Sequence, residues 1–248
     1  MSNAITPPPS ADPIQQMQRL TRRSFVTGAL AASAGLAGWN WLRTRPTEDG
    51  IPWPLRRVLE WNEHLARAAF RDNGLATTFP PSDADEPRVN GGIGLGGEVT
   101  RPLHLAVRGP GSREMRVGST DLAQLPRVEH VTELKCVEGW STIVRWSGVR
   151  LRDFADRYRL TSTYVGLETP GGDYYVGLDS ASALHPQTLL CDEMNGAPLT
   201  PEHGAPLRLV IPVKYGIKNL KQIGTIIFTD DRPADYWAER GYDWYAGL

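Results

Sequence analysis

The feature that most limits the possible folds is the density of turn-forming residues between short strand-like segments. The chain has 25 glycines and 20 prolines in 248 residues, which favours many turns and short strands over a helical bundle. From residue 103 onward, several short runs have the alternating or apolar pattern of strands. These runs are residues 103–107, 128–134, 164–169, 173–178, 188–191 and 225–228. We therefore predict a strand-rich body with short helices at residues 121–125 and 148–158.

Charge and cysteine content exclude several classes of protein. A net charge of −1, with no basic block containing interleaved aromatic residues, argues against a nucleic-acid-binding protein. Two cysteines are too few for a disulfide framework, and no internal repeat is present. The composition, with 40% hydrophobic and 22% charged residues, is ordinary for a globular protein with a substantial core.

The first 42 residues have the pattern of an export signal. Paired arginines, Arg22 and Arg23, are followed by Phe25 and by a mildly apolar run at residues 28–42, which together are typical of the twin-arginine type. The run is about 15 residues long, which is short for a membrane span. We predict a twin-arginine signal region at residues 1–42. A surface helix with an accidental Arg-Arg pair and a retained membrane anchor are the alternatives.

A helix is predicted after a linker, within residues 43–74. Pro54 suits a first helical turn, and Asn73-Gly74 suits an end. The apolar positions follow the i, i+3, i+4 pattern of a helix that packs on the main body. They are Leu55, Val58, Leu59, Leu65, Ala66, Ala69 and Phe70.

Cys136 follows the alternating run at residues 128–134, at a point where a strand gives way to a loop. Loops held by a rigid scaffold often carry functional residues, but a lone cysteine is also common as a small core residue. Cys191 lies among apolar residues and is interpreted as core. From the residues alone, both interpretations of Cys136 stay open.

Two further segments have the composition of a ligand site. Arg208, Lys214, Lys218 and Lys221 bring four cations into 14 residues of otherwise apolar sequence. Such cations need a partner when buried, and a phosphate is a natural one; solvated strand ends are the alternative. The glycine-dense segment 88–97 lacks the spacing of a dinucleotide fingerprint. It is either a loop that approaches a ligand or a flexible surface loop.

Four blocks together resemble the sulfite-oxidase-fold, molybdopterin-dependent oxidoreductases, and within that family the periplasmic protein-methionine-sulfoxide reductases. The blocks are the twin-arginine leader, residues 88–91 (Arg-Val-Asn-Gly), residues 135–141 (Lys-Cys-Val-Glu-Gly-Trp-Ser) and the run from Asn195 to Lys221. The resemblance covers roughly residues 75–248 and implies a mixed α+β domain with short helices that holds one molybdenum through a single pterin. It further implies that Cys136 is the protein's thiolate ligand to the metal, in keeping with soft-ligand chemistry.

The resemblance also implies which side chains contact the pterin. They are Asn90, Cys136, Thr169, His203, Arg208, Lys218, Asn219 and Lys221, with Arg208 and the lysines placed for the terminal phosphate. Three positions depart from the reductase pattern. His203 stands where Asn is common, Asn219-Leu220 replaces a Ser-Ile-like pair, and Ile93 stands where the reductase has a Tyr near the metal. The last departure puts the reductase's own substrate in doubt.

The function implied is oxygen-atom transfer by an exported enzyme, most simply the reduction of a sulfoxide or similar substrate. Val137 and Glu138 follow the cysteine where the sulfite-oxidising branch has arginines, which counts against an anionic substrate. The resemblance also implies a membrane subunit with haem as electron donor, and a periplasmic location. Sulfite dehydrogenase-like oxidation, a non-catalytic pterin-binding scaffold and a metal-free exported binding module are the alternatives. The expected division is a signal region at 1–42, a linker and helix at 43–74, and an oxidoreductase domain at 75–248.

Overall fold

The computed structural model describes residues 13–48, 50–71, 73–95, 103–111 and 114–248, with side chains from residue 21 onward. Residues 1–12 of the predicted signal region and residues 96–97 of the glycine-dense segment therefore lie outside the described residues. In chain order the elements are α1 (Pro13–Arg43), β1 (Thr47–Glu48), β2 (Ile51–Pro52), α2 (Trp53–Ala69), β3 (Leu105–Arg108), β4 (Met115–Val117), α3 (Ser119–Leu122), β5 (Arg127–Lys135), β6 (Ser141–Arg150), α4 (Leu151–Tyr158), β7 (Tyr164–Glu168), β8 (Tyr175–Asp179), α5 (Ser180–Ala183), β9 (Leu189–Met194), β10 (Ala197–Pro198), β11 (Arg208–Val210) and β12 (Thr225–Thr229). Short 3₁₀ turns lie at Pro81–Asp83, Pro201–His203, Gly216–Lys218 and Ala238–Arg240.

The chain divides into two compact units, of which the first contains α1 and β1. Helix α1 includes the paired arginines and the apolar run, and its apolar side chains Phe25, Leu30 and Trp39 are exposed. No described helix combines the length and apolar character that crossing a membrane requires.

The second unit, which contains the described residues from Leu55 onward, is built on two sheets. Within the described residues, one sheet has the order β10-β9-β6-β5, with β11 also paired to β9, and the other has the order β4-β3-β12-β7-β8. All the described pairings are antiparallel except that between β3 and β12. The predicted strands at 164–169 and 173–178 form the expected hairpin, β7–β8. Two mixed sheets with short helices confirm the predicted α+β class.

The larger part of the core lies among both sheets and α4. Leu151, Phe154 and Ala155 of α4 are buried together with Leu167 of β7 and Ile226 of β12. The predicted helix at 148–158 starts later than expected, because residues 148–150 continue β6, where Arg150 still pairs with Leu189 of β9. Because the strand runs directly into the helix, the sequence has no turn signal at the boundary between them.

The prediction for the face of α2 was wrong in part. Leu55, Val58 and Leu65 are exposed, together with Trp61, although the periodicity placed the first three against the body. The helix instead buries Arg56 and Glu63, and Arg56 donates to the carbonyl of Ala238. The helical period was predicted correctly, and Ala66 and Phe70 do pack against Trp244 and Tyr245, but the first part of the helix packs through its charged side chains.

The C-terminal segment packs along the body, as its aromatic content predicts. Trp244 and Tyr245 are buried, and the amide of Tyr215 donates to the carbonyl of Ala246 at 3.0 Å. The amide of Leu248 donates to the carbonyl of Val213 at 3.2 Å. The segment at residues 211–219, which carries the predicted site residues Lys218 and Asn219, is therefore hydrogen-bonded to residues 246–248.

Candidate cofactor-binding site

A cavity of about 240 Å³ lies where the β5–β6 turn meets segments 87–93, 203–208 and 216–221. Four segments far apart in sequence thus share one site, which is the usual arrangement for a ligand pocket. Six of the eight predicted cofactor contacts line it, namely Asn90, Cys136, His203, Arg208, Asn219 and Lys221. The structure therefore brings together residues from three of the four sequence blocks.

Cys136 directly follows β5, in the tight turn that connects β5 to β6. Its amide donates to the carbonyl of Trp140 at 2.9 Å, and its own carbonyl accepts from the amide of Gly139 at 3.1 Å, so the turn is fixed by its backbone. A Cβ added at Gly216 would lie 3.6 Å from the Cys136 Cα, which shows that the 3₁₀ turn at Gly216–Lys218 passes directly beside it. Burial raises the pKa of the half-buried thiol and the Glu138 carboxylate also raises it, while the backbone amides of Glu138 and Val137 partly offset the rise. The neighbours therefore do not activate this thiol as a free nucleophile.

Arg208 supplies a buried positive charge to the same cavity. Its side chain donates to the carbonyls of His203 at 3.1 Å and Asn219 at 3.4 Å, and its guanidinium lies 4.8 Å from the ring centre of Trp146. Its Nε has no hydrogen-bond partner within the described part of the chain. The residue is 3% exposed, and burial lowers its pKa to about 10. A buried guanidinium with a donor to spare fits an anionic ligand.

The polar side chains next to Arg208 serve the backbone as well as the cavity. The Oδ1 of Asn219 accepts from the amide of Ile211 at 2.8 Å, and its Nδ2 donates to the carbonyl of Tyr215 at 3.3 Å. His203 is buried, and desolvation lowers its pKa, with further contributions from Arg208 and Lys221. The imidazole is therefore neutral at pH 7 and is available as a hydrogen-bonding group rather than as a cation.

Lys221 contacts backbone carbonyls from two walls of the cavity. Its Nζ donates to the carbonyls of Glu202 at 2.8 Å, Gly91 at 3.1 Å and Asn90. Burial lowers the pKa of this ammonium group to about 8. Asn90 and Gly91 line the cavity with it, so the predicted loop segment does reach the site.

Thr169 and Lys218 do not line the cavity. The Oγ1 of Thr169 donates to the carbonyl of Tyr174 and accepts from its amide, both at 3.2 Å, within the β7–β8 connection. Lys218 is completely buried, with its Nζ donating to the Asp235 carboxylate and to the carbonyl of Gly177 at 2.9 Å. The structure therefore gives the Lys218 ammonium an internal counter-ion, while its chain neighbours Ile217 and Asn219 face the cavity.

Lys214 is also turned away from the cavity, although it belongs to the cationic segment. Its Nζ lies 4.0 Å from the Asp179 carboxylate and over the Tyr245 ring, and burial lowers its pKa to about 6. The cationic segment thus divides into two residues that line the cavity, Arg208 and Lys221, and two that anchor it to the core.

An aromatic lining was missed at the sequence level. Its members are Trp140, Trp146, Tyr174, Trp237 and Tyr242. The Tyr174 hydroxyl donates to the carbonyl of Ile217, and Arg88 lies 4.7 Å from the ring centre of Trp140. The density of aromatic residues after residue 235 was visible in the sequence, but a surface wrap and a cavity wall give the same composition.

The donor set of the cavity fits a molybdopterin. Cys136 provides one soft sulfur donor, and a metal that it binds must take its other ligands from elsewhere, as from a dithiolene. Arg208 provides a buried cation with an unused donor for a terminal phosphate. The aromatic side chains and the backbone polar groups of the lining suit a flat, hydrogen-bonding heterocycle.

Comparison with known proteins gives the same assignment. Residues 99–237 match the model of an oxidoreductase molybdopterin-binding domain. A relative from Azospira oryzae, provisionally named a protein-methionine-sulfoxide reductase subunit, is 33% identical over 235 residues, which are 91% of this chain and 86% of the relative. A protein-methionine-sulfoxide reductase catalytic subunit from Xanthomonas axonopodis pv. citri is 30% identical over 95% of this chain and 78% of its own length.

Among solved structures, the sulfane dehydrogenase SoxCD from Paracoccus pantotrophus matches with a TM-score of 0.52 and 19% identity. The match covers 65% of this chain and 46% of that chain, so it bears on the fold alone. The predicted family and its sulfite-oxidase-type α+β fold are confirmed. The chain belongs to the family of oxidoreductases that have a molybdopterin-binding domain.

Proposed function

We propose that this protein is an exported molybdenum-pterin enzyme that reduces a sulfoxide or a similar oxidised substrate. The observation that carries the proposal is the shared cavity of Cys136 and Arg208, a soft metal donor and a buried cation with an unused donor. The names of the two relatives support a sulfoxide as substrate. The net reaction takes a sulfoxide, two electrons and two protons to a thioether and water.

The residues of the cavity divide the binding task. Cys136 is proposed as the one protein ligand to the metal and Arg208 as the contact for the phosphate of a single pterin, with Asn90, His203 and Asn219 as polar contacts to the cofactor. When bound, the molybdenum centre supplies two-electron oxygen-atom transfer, while the protein supplies position and electrostatics. Trp237 and Tyr242 add aromatic surface to the cavity lining.

The wall next to Cys136 favours a neutral substrate over an anion. Val137, Glu138 and Trp140 line the cavity on this side, and Glu138 accepts from the Trp140 Nε1 at 2.8 Å. Sulfite is an anion and needs fixed positive charge, and on this wall the Glu138 carboxylate offsets the charge of Arg88, which also lines the cavity and lies 4.7 Å from the Trp140 ring centre. A sulfoxide carries no net charge and does not depend on such a cation.

The location and the electron donor are also proposed. Residues 1–42 are a twin-arginine signal region and residues 43–74 connect it to the oxidoreductase domain at 75–248, which places the mature domain in the periplasm. The proposed electron donor is a membrane subunit that carries haem, and the names of the two relatives, a reductase subunit and a reductase catalytic subunit, support a partner subunit.

The test combines metal analysis with a substrate panel. Protein from a molybdenum-competent host should contain about one Mo and one pterin per chain. Reduced protein should then be reoxidised by methionine sulfoxide or another S- or N-oxide, and oxidised protein should not be reduced by sulfite. Protein without molybdenum and pterin contradicts the cofactor assignment. Loaded protein that responds to sulfite and to none of the oxides contradicts the proposed direction of the reaction.

A further inference from the structure

Lys221 uses its ammonium group to join two separate segments of the cavity wall. Two of its acceptors, the carbonyls of Asn90 and Gly91, belong to the described part of the glycine-dense segment, residues 88–95, which is called the glycine-rich segment below. The third acceptor is the carbonyl of Glu202 in the turn Pro201–His203. An ammonium group has three protons and no lone pair, so three carbonyls use all of its donors. The contacts are charge-assisted, and such hydrogen bonds are stronger than neutral ones.

One of the joined segments is packed directly against the backbone of Lys221. Gly204 has a φ of +96°, and a Cβ added there would lie 2.8 Å from the Lys221 Cβ and 2.9 Å from its Cα. The turn Pro201–His203 is therefore fixed to the start of the lysine side chain. The ammonium group at its other end reaches across to the glycine-rich segment.

The glycine-rich segment has a second attachment four residues further along. Gly94 has a φ of +77°, and a Cβ added there would lie 2.5 Å from the Thr169 Cγ2 and 3.0 Å from the Tyr174 Cβ. The segment thus rests on the β7–β8 connection at Gly94 and is tied to Lys221 at Asn90 and Gly91. Within the segment, the amide of Leu95 donates to the carbonyl of Gly92 at 3.1 Å.

We propose that Lys221 is a positioning residue whose ammonium group holds residues 90–95 as a preformed wall of the cavity, and that this contact slows escape of the bound cofactor. The inference rests on the proposed function in that the cavity binds a molybdopterin. It changes the role expected for Lys221, because a phosphate that reached this ammonium would have to compete with three carbonyls. Arg208, whose Nε has no partner among the residues that the structure describes, is the better phosphate contact.

The experiment compares cofactor-free protein of the wild type with Lys221→Met and Lys221→Arg, all prepared from a host that cannot make molybdopterin. The control is Arg152→Met, because Arg152 is an exposed cation that also donates to a backbone carbonyl, that of Leu184 at 2.8 Å, away from the cavity. Two local quantities are measured, namely the rate of tryptic cleavage after Arg88 and the rate of hydrogen exchange at the Leu95 amide. Loss of charge-assisted hydrogen bonds should raise both rates by about tenfold in Lys221→Met.

The other variants separate positioning from a general structural effect. Lys221→Arg retains a donor group of sufficient reach and should restore slow cleavage and exchange, whereas Arg152→Met should match the wild type. The melting temperature of cofactor-free Lys221→Met should stay close to that of the wild type. Loaded protein is then mixed with an excess of an apoprotein that accepts the cofactor. Under these conditions Lys221→Met should release the pterin faster than the wild type.

Two results would overturn the proposal. If cofactor-free Lys221→Met has wild-type cleavage and exchange rates but loses the cofactor, Lys221 is a phosphate ligand only. If the segment opens but release of the pterin does not accelerate, the wall does not retain the cofactor. The measurements on cofactor-free protein do not depend on the substrate or on the direction of the reaction, so a failure of the proposed function is recognised separately.

Discussion

The two cysteines occupy very different positions in the fold. Cys191 is completely buried in β9, its Sγ donates to the carbonyl of Glu193 at 3.1 Å, and burial raises its pKa to about 12. Cys136 lies half-buried in a turn and faces the cavity. From the residues alone, Cys191 was predicted to lie in the core because it stands among apolar residues, whereas Cys136 was left open between core and chemistry, and only the family resemblance implied a ligand role for it.

Cys136→Ser should remove activity and most of the bound molybdenum, because an alcohol is a poorer donor than a thiolate to a soft metal site. The melting temperature of the cofactor-free variant should change by little, since the substitution keeps the size of the side chain in a turn. Metal analysis and thermal unfolding measure the two effects. The matched control, Cys191→Ala, should keep its molybdenum and lose roughly 1 kcal/mol of stability. A Cys136→Ser variant that still turns over contradicts the ligand assignment.

Arg208→Met should affect the loaded protein much more than the cofactor-free protein. Without a ligand, the guanidinium is a buried charge whose Nε has no partner within the described residues, so an apolar side chain of similar length removes that cost, but it also leaves the carbonyls of His203 and Asn219 without their donor. With the cofactor bound, the same replacement also removes the cation proposed for its phosphate. The free energy of unfolding of the cofactor-free variant should therefore stay within about 2 kcal/mol of that of the wild type, while retention of the pterin falls at least tenfold. A large loss of stability together with wild-type retention contradicts both expectations.

Lys218 marks the limit of sequence reasoning at the scale of a residue. The cationic pattern Arg208–Lys221 predicted a phosphate site, and Arg208 and Lys221 do line the cavity. The direction of Lys218 depends on the 3₁₀ turn that contains it and on Asp235, which lies 17 residues further along the chain. The residues around Lys218 in the sequence indicate neither this turn nor the distant counter-ion. Which of the four cations line the cavity could therefore not be predicted.

At the scale of the element, α2 shows a helix whose period is visible in sequence but whose packed face is not. Glu63 is buried and is paired with Arg67 at 2.9 Å and with Arg232 at 2.6 Å, whereas Leu55, Val58 and Trp61 face outward. The periodicity of the sequence shows that the helix has an apolar and a charged face, but it does not show which of them packs on the body. The face that packs depends on what the body presents, which here includes Arg232 and the carbonyl of Ala238.

The packing of α2 through buried charged side chains can be tested by measuring stability. Glu63→Gln should destabilise the protein by about 1–3 kcal/mol, because two arginines lose their shared carboxylate in a partly buried place. Trp61→Gln, on the same helix, should stay within about 0.5 kcal/mol of the wild type, because this side chain is 63% exposed. Urea unfolding monitored by far-UV circular dichroism compares them. The reverse order of the two effects would show that the apolar face, rather than the charged face, packs on the body.

At the scale of the whole molecule, the cavity depends on segments from very different parts of the chain. Segments 87–93, 136–140, 203–208 and 216–221 meet only when both the β5–β6 hairpin and the turn at Gly216–Lys218 are in place. Sequence blocks could identify these segments separately and the family resemblance could join them. The close approach of Gly216 to Cys136, and the aromatic residues that complete the lining, required the fold.

Because the proposed cofactor site is lined by all four segments, loading with the cofactor should stabilise the whole domain. A ligand that binds only the native state and is present at 1,000 times its Kd adds about 4 kcal/mol, which for a chain of this size corresponds to roughly 8–16 °C in melting temperature. Protein from a molybdopterin-deficient host should therefore unfold at least several degrees below protein from a competent host.

Hydrogen exchange should slow at residues 90–95, 136–140 and 203–221 on loading, while the exposed face of α2 exchanges at the same rate in both forms. Cys136→Ser, which retains the pterin contacts but not the metal ligand, should lie between the two melting temperatures. Equal melting temperatures, or protection confined to a single segment, would show that the ligand does not bridge the four segments and that the cavity is not the cofactor site.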